Sequence, residues 1–291
     1  MGKEYQWYSN NHEVMSYFAA LSMPPFFQNL IFDPVRRGYF ILGVVAPDKL
    51  FCDFSNHYYN ITSTKRGQHY GKIHEKVEKE AELIREMLGN TEEVILHPKA
   101  SSFFRGIIDT PVKAVVFELG VISHYVADAH QPFHTDGQLR YPDIKYDEIP
   151  IHRAYEEDVR KNLGTLSSFY LSSDVREMEP CKITDVKKFI LEVVKEHNKY
   201  YDELFDVYYP ISKHNEKTRF NDVLSLTKVC FNNAIYNIRS VWNLFGDIEE
   251  KLSESAILEK TINDINSKLN KKNRYGVKVF KNGNVKIIIK K

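Results

Sequence analysis

The sequence predicts an all-α protein, a single multi-helix domain followed by a small C-terminal β-hairpin. Three observations predict it. Apolar residues recur at helical spacing in successive segments from residue 12 to residue 245. One of these segments, after Thr110-Pro111, is apolar nearly all round and belongs in a core. The clearest strand–turn–strand pattern, around Asn282-Gly283, stands at the far end of the chain. At 291 residues and 43% hydrophobic the chain can build one large core. No Gly/Ser linker cuts the body, so residues 1–246 are expected as one domain and 247–291 as a polar helix plus a basic hairpin.

Taken in order, residues 12–22 carry helical apolar spacing and Pro24-Pro25 closes them. His12 stands at the start of this segment. Arg37 to Val45 is a short apolar run ended by Ala46-Pro47-Asp48, which puts Asp48 at a turn position. His57 follows, expected in a loop. Gln68 to Leu88 reads as one amphipathic helix burying Ile73, Val77, Ala81, Ile84 and Leu88, with Gly89 suited to the position after its end. His69 and His74 are five apart, do not share its face, and read as structural or solvated. Residues 90–108 are irregular. Thr110 as N-cap and Pro111 at the first position then open the central helix, where Gly120 leaves room for a neighbouring chain or ligand. His152 to Lys161 is a short helix. Thr184 to Tyr208 is a longer one with Val186, Phe189, Ile190, Val193, Tyr200 and Leu204 inward, and Thr218 to Phe245 is the last. Residues 247–270 read as a polar surface helix. Val277–Phe280 and Val285–Ile289 flank Asn282-Gly283, the preferred type I′ turn pair.

Net charge is +1, which by itself argues neither for nor against a polyanion partner. Ile265 to Lys291 nevertheless holds nine Lys/Arg and no acid, leaving about −8 (+1 minus 9) on the remainder. Such a segment can touch an anionic surface, either lipid headgroup or nucleic acid, or can simply protect a sheet edge. Cys52, Cys181 and Cys230 are too scattered for a disulfide framework or a zinc knuckle. No stretch is apolar enough to span a membrane, and the first residues lack an apolar signal region. The expected location is cytoplasmic if Met1 is native, and secreted if a leader was removed.

The chemistry concentrates between Glu118 and His134. His124 and Asp128 are four apart on one helix face, where they can grip one cation, although an isolated pair of this kind also serves as an ion pair. Pro132 stops the helix and His134 follows in the turn. His152 and Glu156 repeat the spacing of four. Two such pairs and an extra histidine supply ligands for more than one zinc ion.

These motifs, His124-Tyr-x-x-Asp128-x-x-Gln131-Pro132-x-His134 and His152-x-x-Tyr155-Glu156, resemble the zinc-dependent phospholipase C family. That family shares its all-helical fold with the single-strand-specific zinc nucleases of fungi and plants. The resemblance spans about Trp7 to Gly246 and implies a metal cleft with three zinc ions. It assigns Asp48, His57, His124 and Asp128 to one zinc, and His134, His152 and Glu156 to a second. His12 with a shared Asp128 would hold the third. In the family a tryptophan at the mature N-terminus completes that third site. Here the matching Trp7 has six residues before it, so two to three ions are expected. His152-Arg-Ala-Tyr-Glu156, and Phe51 where the nucleases carry arginine, look like the phospholipase branch. The Trp7-to-His12 spacing and His130 look like the nuclease branch. The resemblance therefore implies a phosphodiester hydrolase using zinc-activated water on a phospholipid headgroup, with Asp48 as base or orienter of that water. A nuclease or nucleotidase, or a non-catalytic member stabilised by metal, are the alternatives.

Overall fold

The computed structural model describes residues 9–65, 68–137, 140–141, 143, 147–209, 215, 217–253, 255–257, 259 and 261, and the backbone of 275–279 and 285–289. Trp7 and the Asn282-Gly283 turn lie outside these residues.

The all-α expectation holds. Helices α1 (Ser9–Leu21), α2 (Pro25–Phe32) and α3 (Arg36–Ala46) open the chain. Pro24-Pro25 both ends α1 and starts α2, with Pro25 at a first-turn position where no N–H is needed. Asp48 is not on a chain-reversing turn but in a helical segment. The chain continues past α3 through a π-helical turn, Pro47–Phe51, and stops at Cys52 in the left-handed region, φ 50. Proline's fixed φ suits a helix, so Pro47 does not break the chain direction at its own position.

A hairpin replaces the start of the expected fourth helix. Strand β1 (Tyr59–Lys65) pairs antiparallel with β2 (Gln68–Gly71), and Gly71 leaves it at φ +85. Helix α4 therefore runs from Ile73 to Gly89, burying the five predicted apolar positions. Gly89 is its last residue. The cap is Asn90, whose N–H reaches the carbonyls of Glu86 and Met87.

After the single turn α5 (Ser101–Phe104), helix α6 (Pro111–Asp128) runs through the centre, with every residue from Val112 to Asp128 buried. Thr110 caps it by accepting the Lys113 N–H. Then follow a 3-10 turn (Pro132–His134), α7 (Glu148–Lys161), α8 (Leu163–Leu171), α9 (Val186–Asn198), α10 (Tyr201–Tyr208) and α11 (Arg219–Trp242). The expected helix 184–208 is thus two. The break lets α9 pack on α4 while α10 turns to α7 and α11, which one straight rod cannot do. Phe189 and Tyr200 end up only half-buried. The helical residues after Asp247 are less superficial than expected. Ile248 and Leu252 are buried, and buried Glu259 accepts from Thr110 Oγ1 at 3.3 Å. Strands β3 (Tyr275–Val279) and β4 (Val285–Ile289) form the predicted terminal hairpin, with Tyr275 opposite Ile289. No helix among the described residues is long and apolar enough to cross a membrane.

One contact positions the site. A Cβ on Gly43 would collide with the Phe117 carbonyl, and one on Gly120 with the Phe40 carbonyl and the Val44 nitrogen. The room at Gly120 is therefore filled by α3. Replacing Gly120 with Ala pushes two backbones apart, and overpacking of this kind costs about 3 kcal/mol. The expected result is a lower urea midpoint at unchanged slope.

Candidate metal centre

Six separate pieces of chain deliver the eight predicted residues to one place. His12 comes from α1, Asp48 from the π-turn and His57 from the loop after it. His124 and Asp128 come from α6, His134 from the 3-10 turn, and His152 and Glu156 from α7. All eight are buried. Asp128 is at the middle. Its Oδ2 lies 2.7 Å from His57 Nδ1 and 3.2 Å from His124 Nε2. Its Oδ1 lies 3.4 Å from both His12 Nε2 and His134 Nδ1. Asp48 Oδ1 is 3.3 Å from His124 Nε2. On the other side His152 Nε2 stands 2.7 Å from Glu156 Oε1 and 3.1 Å from His134 Nε2.

The donor atoms fall into compact groups, each within 4.8 Å: His57 with His124 and Asp128, His134 with His152 and Glu156, and His12 with Asp48 and His124. The second has the membership expected of it, while the first lacks Asp48, which groups with His12 and His124 instead. His12 is drawn toward Asp48 as well as Asp128, because its ring stacks on His124 at 3.9 Å.

Backbone carbonyls fix the rings. His124 Nδ1 donates to Val44 O at 2.8 Å and His134 Nδ1 to His57 O at 2.8 Å. A carbonyl only accepts, so in each neutral ring Nε2 keeps its lone pair for the cluster. The Val44 bond exists because α3 and α6 approach so closely at their glycines. Gln131 donates to Glu156 and turns its oxygen to the Phe133 N–H, tying the turn to α7.

Charge distribution divides the cluster. Burial opposes charge on His57, but hydrogen bonds to Asp128 and Asp53 outweigh it and raise its pKa to about 9. For His124, burial is overcome by Asp48 and Asp128, and the value reaches about 10. Burial holds His134 and His152 down at about 3. Burial also pushes the Glu156 carboxyl well above the usual range, while the surrounding histidines outweigh burial at Asp128 and depress it. Without metal, protons on His57 and His124 balance the central carboxylates. Asp128 Oδ1 and Glu156 Oε2 accept no hydrogen bond among the described residues. Buried oxygens without donors favour a cation, and the imidazole–carboxylate donor set suits zinc.

A cavity of about 200 Å³ opens onto this cluster. His57, His134 and His152 are among its lining residues, and so are Tyr58, Tyr70, Phe133 and Glu148. None of the latter stood out in the sequence, and neither did Asp53, which reaches His57 from behind. A further buried group, Glu80, His97 and Glu118, also has metal-like spacing. Its interior is taken by the Lys76 ammonium, which is bonded to Glu80 and lies 3.3 Å from His97 Nε2. His97 Nδ1 accepts the Lys99 N–H, so a neutral ring carries its proton on Nε2 and has no lone pair there for a metal.

A family model described as zinc dependent phospholipase C matches residues 11–207. The chain belongs to the zinc-dependent phospholipase C family. The match spans the elements that carry all eight clustered side chains, α1 through α7. Members of this family are zinc-dependent hydrolases, and the grouped histidines and carboxylates agree with that requirement. Among solved structures the chain is similar to a crystal structure of Clostridium perfringens alpha-toxin from an avian strain, at 14% identity and a TM-score of 0.45. That match covers 80% of this chain and 63% of the toxin chain, so less than two thirds of the toxin's length is represented. A search of curated protein sequences finds no match.

Proposed function

We propose that this member of the zinc-dependent phospholipase C family hydrolyses the phosphodiester of a phospholipid with a cationic headgroup. The observation that carries the reading is the cavity. It is lined at once by three of the clustered histidines and by an aromatic and acidic wall, so a molecule inside it meets both. Asp48, His57, His124 and Asp128 would hold one zinc, and His134, His152 and Glu156 a second. His12 and Asp128 would contribute to a third. Zinc bound there supplies Lewis acidity, acidifying water toward neutral pH and offsetting charge on phosphate oxygens.

The chain's own groups divide the remaining work. Asp48, buried beside His124, accepts the proton of the attacking water or orients it. His124 and His134, fixed through Nδ1, keep their other nitrogens aimed inward. The buried α6 limits water on its side of the cluster. Among the lining residues, the rings of Tyr58, Tyr70 and Phe133 with the Glu148 carboxylate suit a quaternary ammonium group. Glu148 is held by the Tyr201 hydroxyl at 2.8 Å. Among the described residues lining this cavity there is no Lys or Arg, which disfavours a polyanion such as single-stranded DNA. The body 1–246 would carry the activity, with the basic segment 265–291 touching anionic lipid.

The test compares hydrolysis of phosphatidylcholine, phosphatidylglycerol and single-stranded DNA by zinc-loaded protein. Preference for the choline lipid is expected, and cleavage of DNA alone would overturn the reading. Glu148→Gln is expected to raise KM for the choline lipid about tenfold, the size of a desolvated cation–π or charge contact, with little change in kcat. The same change should leave the glycerol lipid unaffected.

A further inference from the structure

We infer that Asp53 is a positioning residue for the zinc site, selecting which nitrogen of His57 faces the metal. The inference rests on the proposed reading that His57 is a ligand.

The two nitrogens of His57 look in different directions. Nδ1 faces the cluster, 2.7 Å from Asp128 Oδ2, 3.3 Å from His124 Nε2 and 3.7 Å from Asp48 Oδ1. Nε2 faces away, 3.3 Å from Asp53 Oδ1. A neutral imidazole has one N–H and one lone pair. An ionised carboxylate only accepts, so Asp53 holds the proton on Nε2 and leaves the Nδ1 lone pair for the cluster. The other two oriented histidines, His124 and His134, are fixed through Nδ1 by backbone carbonyls. His57 is thus arranged the opposite way round from them, and it is a side chain that arranges it.

Asp53 is itself held on several sides. The Tyr125 hydroxyl donates to both of its oxygens, at 3.1 and 2.9 Å, and Asn56 Nδ2 donates to Oδ2 at 3.0 Å. The Lys99 and Lys76 ammonium groups stand 3.4 and 3.8 Å from Oδ2. Tyr125 follows His124 on α6, so the helix that carries two cluster residues also anchors the group that aims a third. A carboxylate in this place raises the basicity of the ring and fixes its plane. A merely structural Asp53, neutralising two lysines, would do neither.

The experiment uses the full chain. Zinc affinity is read by competition with a chromophoric chelator, and ring tautomers by long-range proton–nitrogen NMR of the zinc-loaded protein. Wild type is expected to show His57 protonated on Nε2. Asp53→Asn is expected to lower affinity for one ion by about 10–100-fold and to shift the visible spectrum of the cobalt-substituted protein. Wild-type affinity and an unchanged cobalt spectrum in a folded Asp53→Asn would overturn the inference. So would a wild-type His57 protonated on Nδ1, a result that needs no variant. Absence of zinc binding by wild type would instead remove the ligand reading on which this one stands.

Discussion

Asp128→Asn is expected to abolish tight binding of more than one zinc ion and to lower kcat/KM on phospholipid about a thousandfold or more. Asp128 is the carboxylate that reaches four histidines, His57 and His124 through one oxygen and His12 and His134 through the other. Asparagine keeps the shape and removes the charge. It also replaces one oxygen by a group that donates and cannot ligate. The loss corresponds to about 4 kcal/mol of transition-state stabilisation, a size ordinary for a removed electrostatic element. Zinc per chain by mass spectrometry and kcat/KM on phosphatidylcholine are the measurements. Full zinc content in the variant would show that Asp128 is an ion-pair partner and not a ligand. The variant should also release His57 and His124 from their elevated pKa values, since Asp128 helps raise both.

The zinc-free protein is expected to be most stable near pH 6.5 and to weaken on both sides. His57 and His124 titrate at about 9 and about 10 in the fold, against about 6.5 unfolded. Their contribution is fully present below about 6.5 and is lost as pH rises through 9 to 10. Glu156, whose carboxyl burial keeps protonated above its unfolded value of about 4.3, loses its contribution progressively as pH rises from there through its raised pKa. His134 and His152 are held at about 3, below their unfolded value, so as pH falls from about 6.5 the unfolded chain takes up protons that the fold refuses. Zinc binding must displace the His57 and His124 protons. Affinity should therefore rise by up to about 100-fold per pH unit near neutrality, two protons being released. Zinc at a thousand times its dissociation constant adds about 4 kcal/mol per site and removes the alkaline limb. Urea midpoints across pH, with and without zinc, test this. A metal-free stability that climbs steadily from pH 6 to 9 would contradict it.

The legible parts of this protein are the local ones. The helix-centred pairs His124/Asp128 and His152/Glu156 are visible because a spacing of four is one turn of helix. The Thr110-Pro111 start of α6 and its burial follow from cap chemistry and an apolar circumference. The terminal hairpin follows from its Asn-Gly signal. Local pattern misled at Gln68, where a strand adjoins the helix that begins at Ile73. It misled again at Lys199, where α9 and α10 part to pack on different partners. Tertiary context overrides periodicity at such joins, since a short apolar or polar run fits either structure.

Local sequence carried the helical class, the central buried helix and two half-sites at helical spacing. These depend on backbone geometry within a turn or two, and the residues concerned are neighbours in the chain. Local pattern placed none of His12, Asp48 and His57 beside those half-sites, which they joined only through the family resemblance, and it gave no sign that Asp53 stands behind His57 or that Tyr58, Tyr70 and Glu148 wall the cavity; those are facts of the tertiary fold. His57 meets His124 across 67 residues of chain, and Val44 meets it across 80. Those meetings depend on two helices approaching until glycine backbone touches backbone at Gly43 and Gly120, a packing condition that no single segment carries.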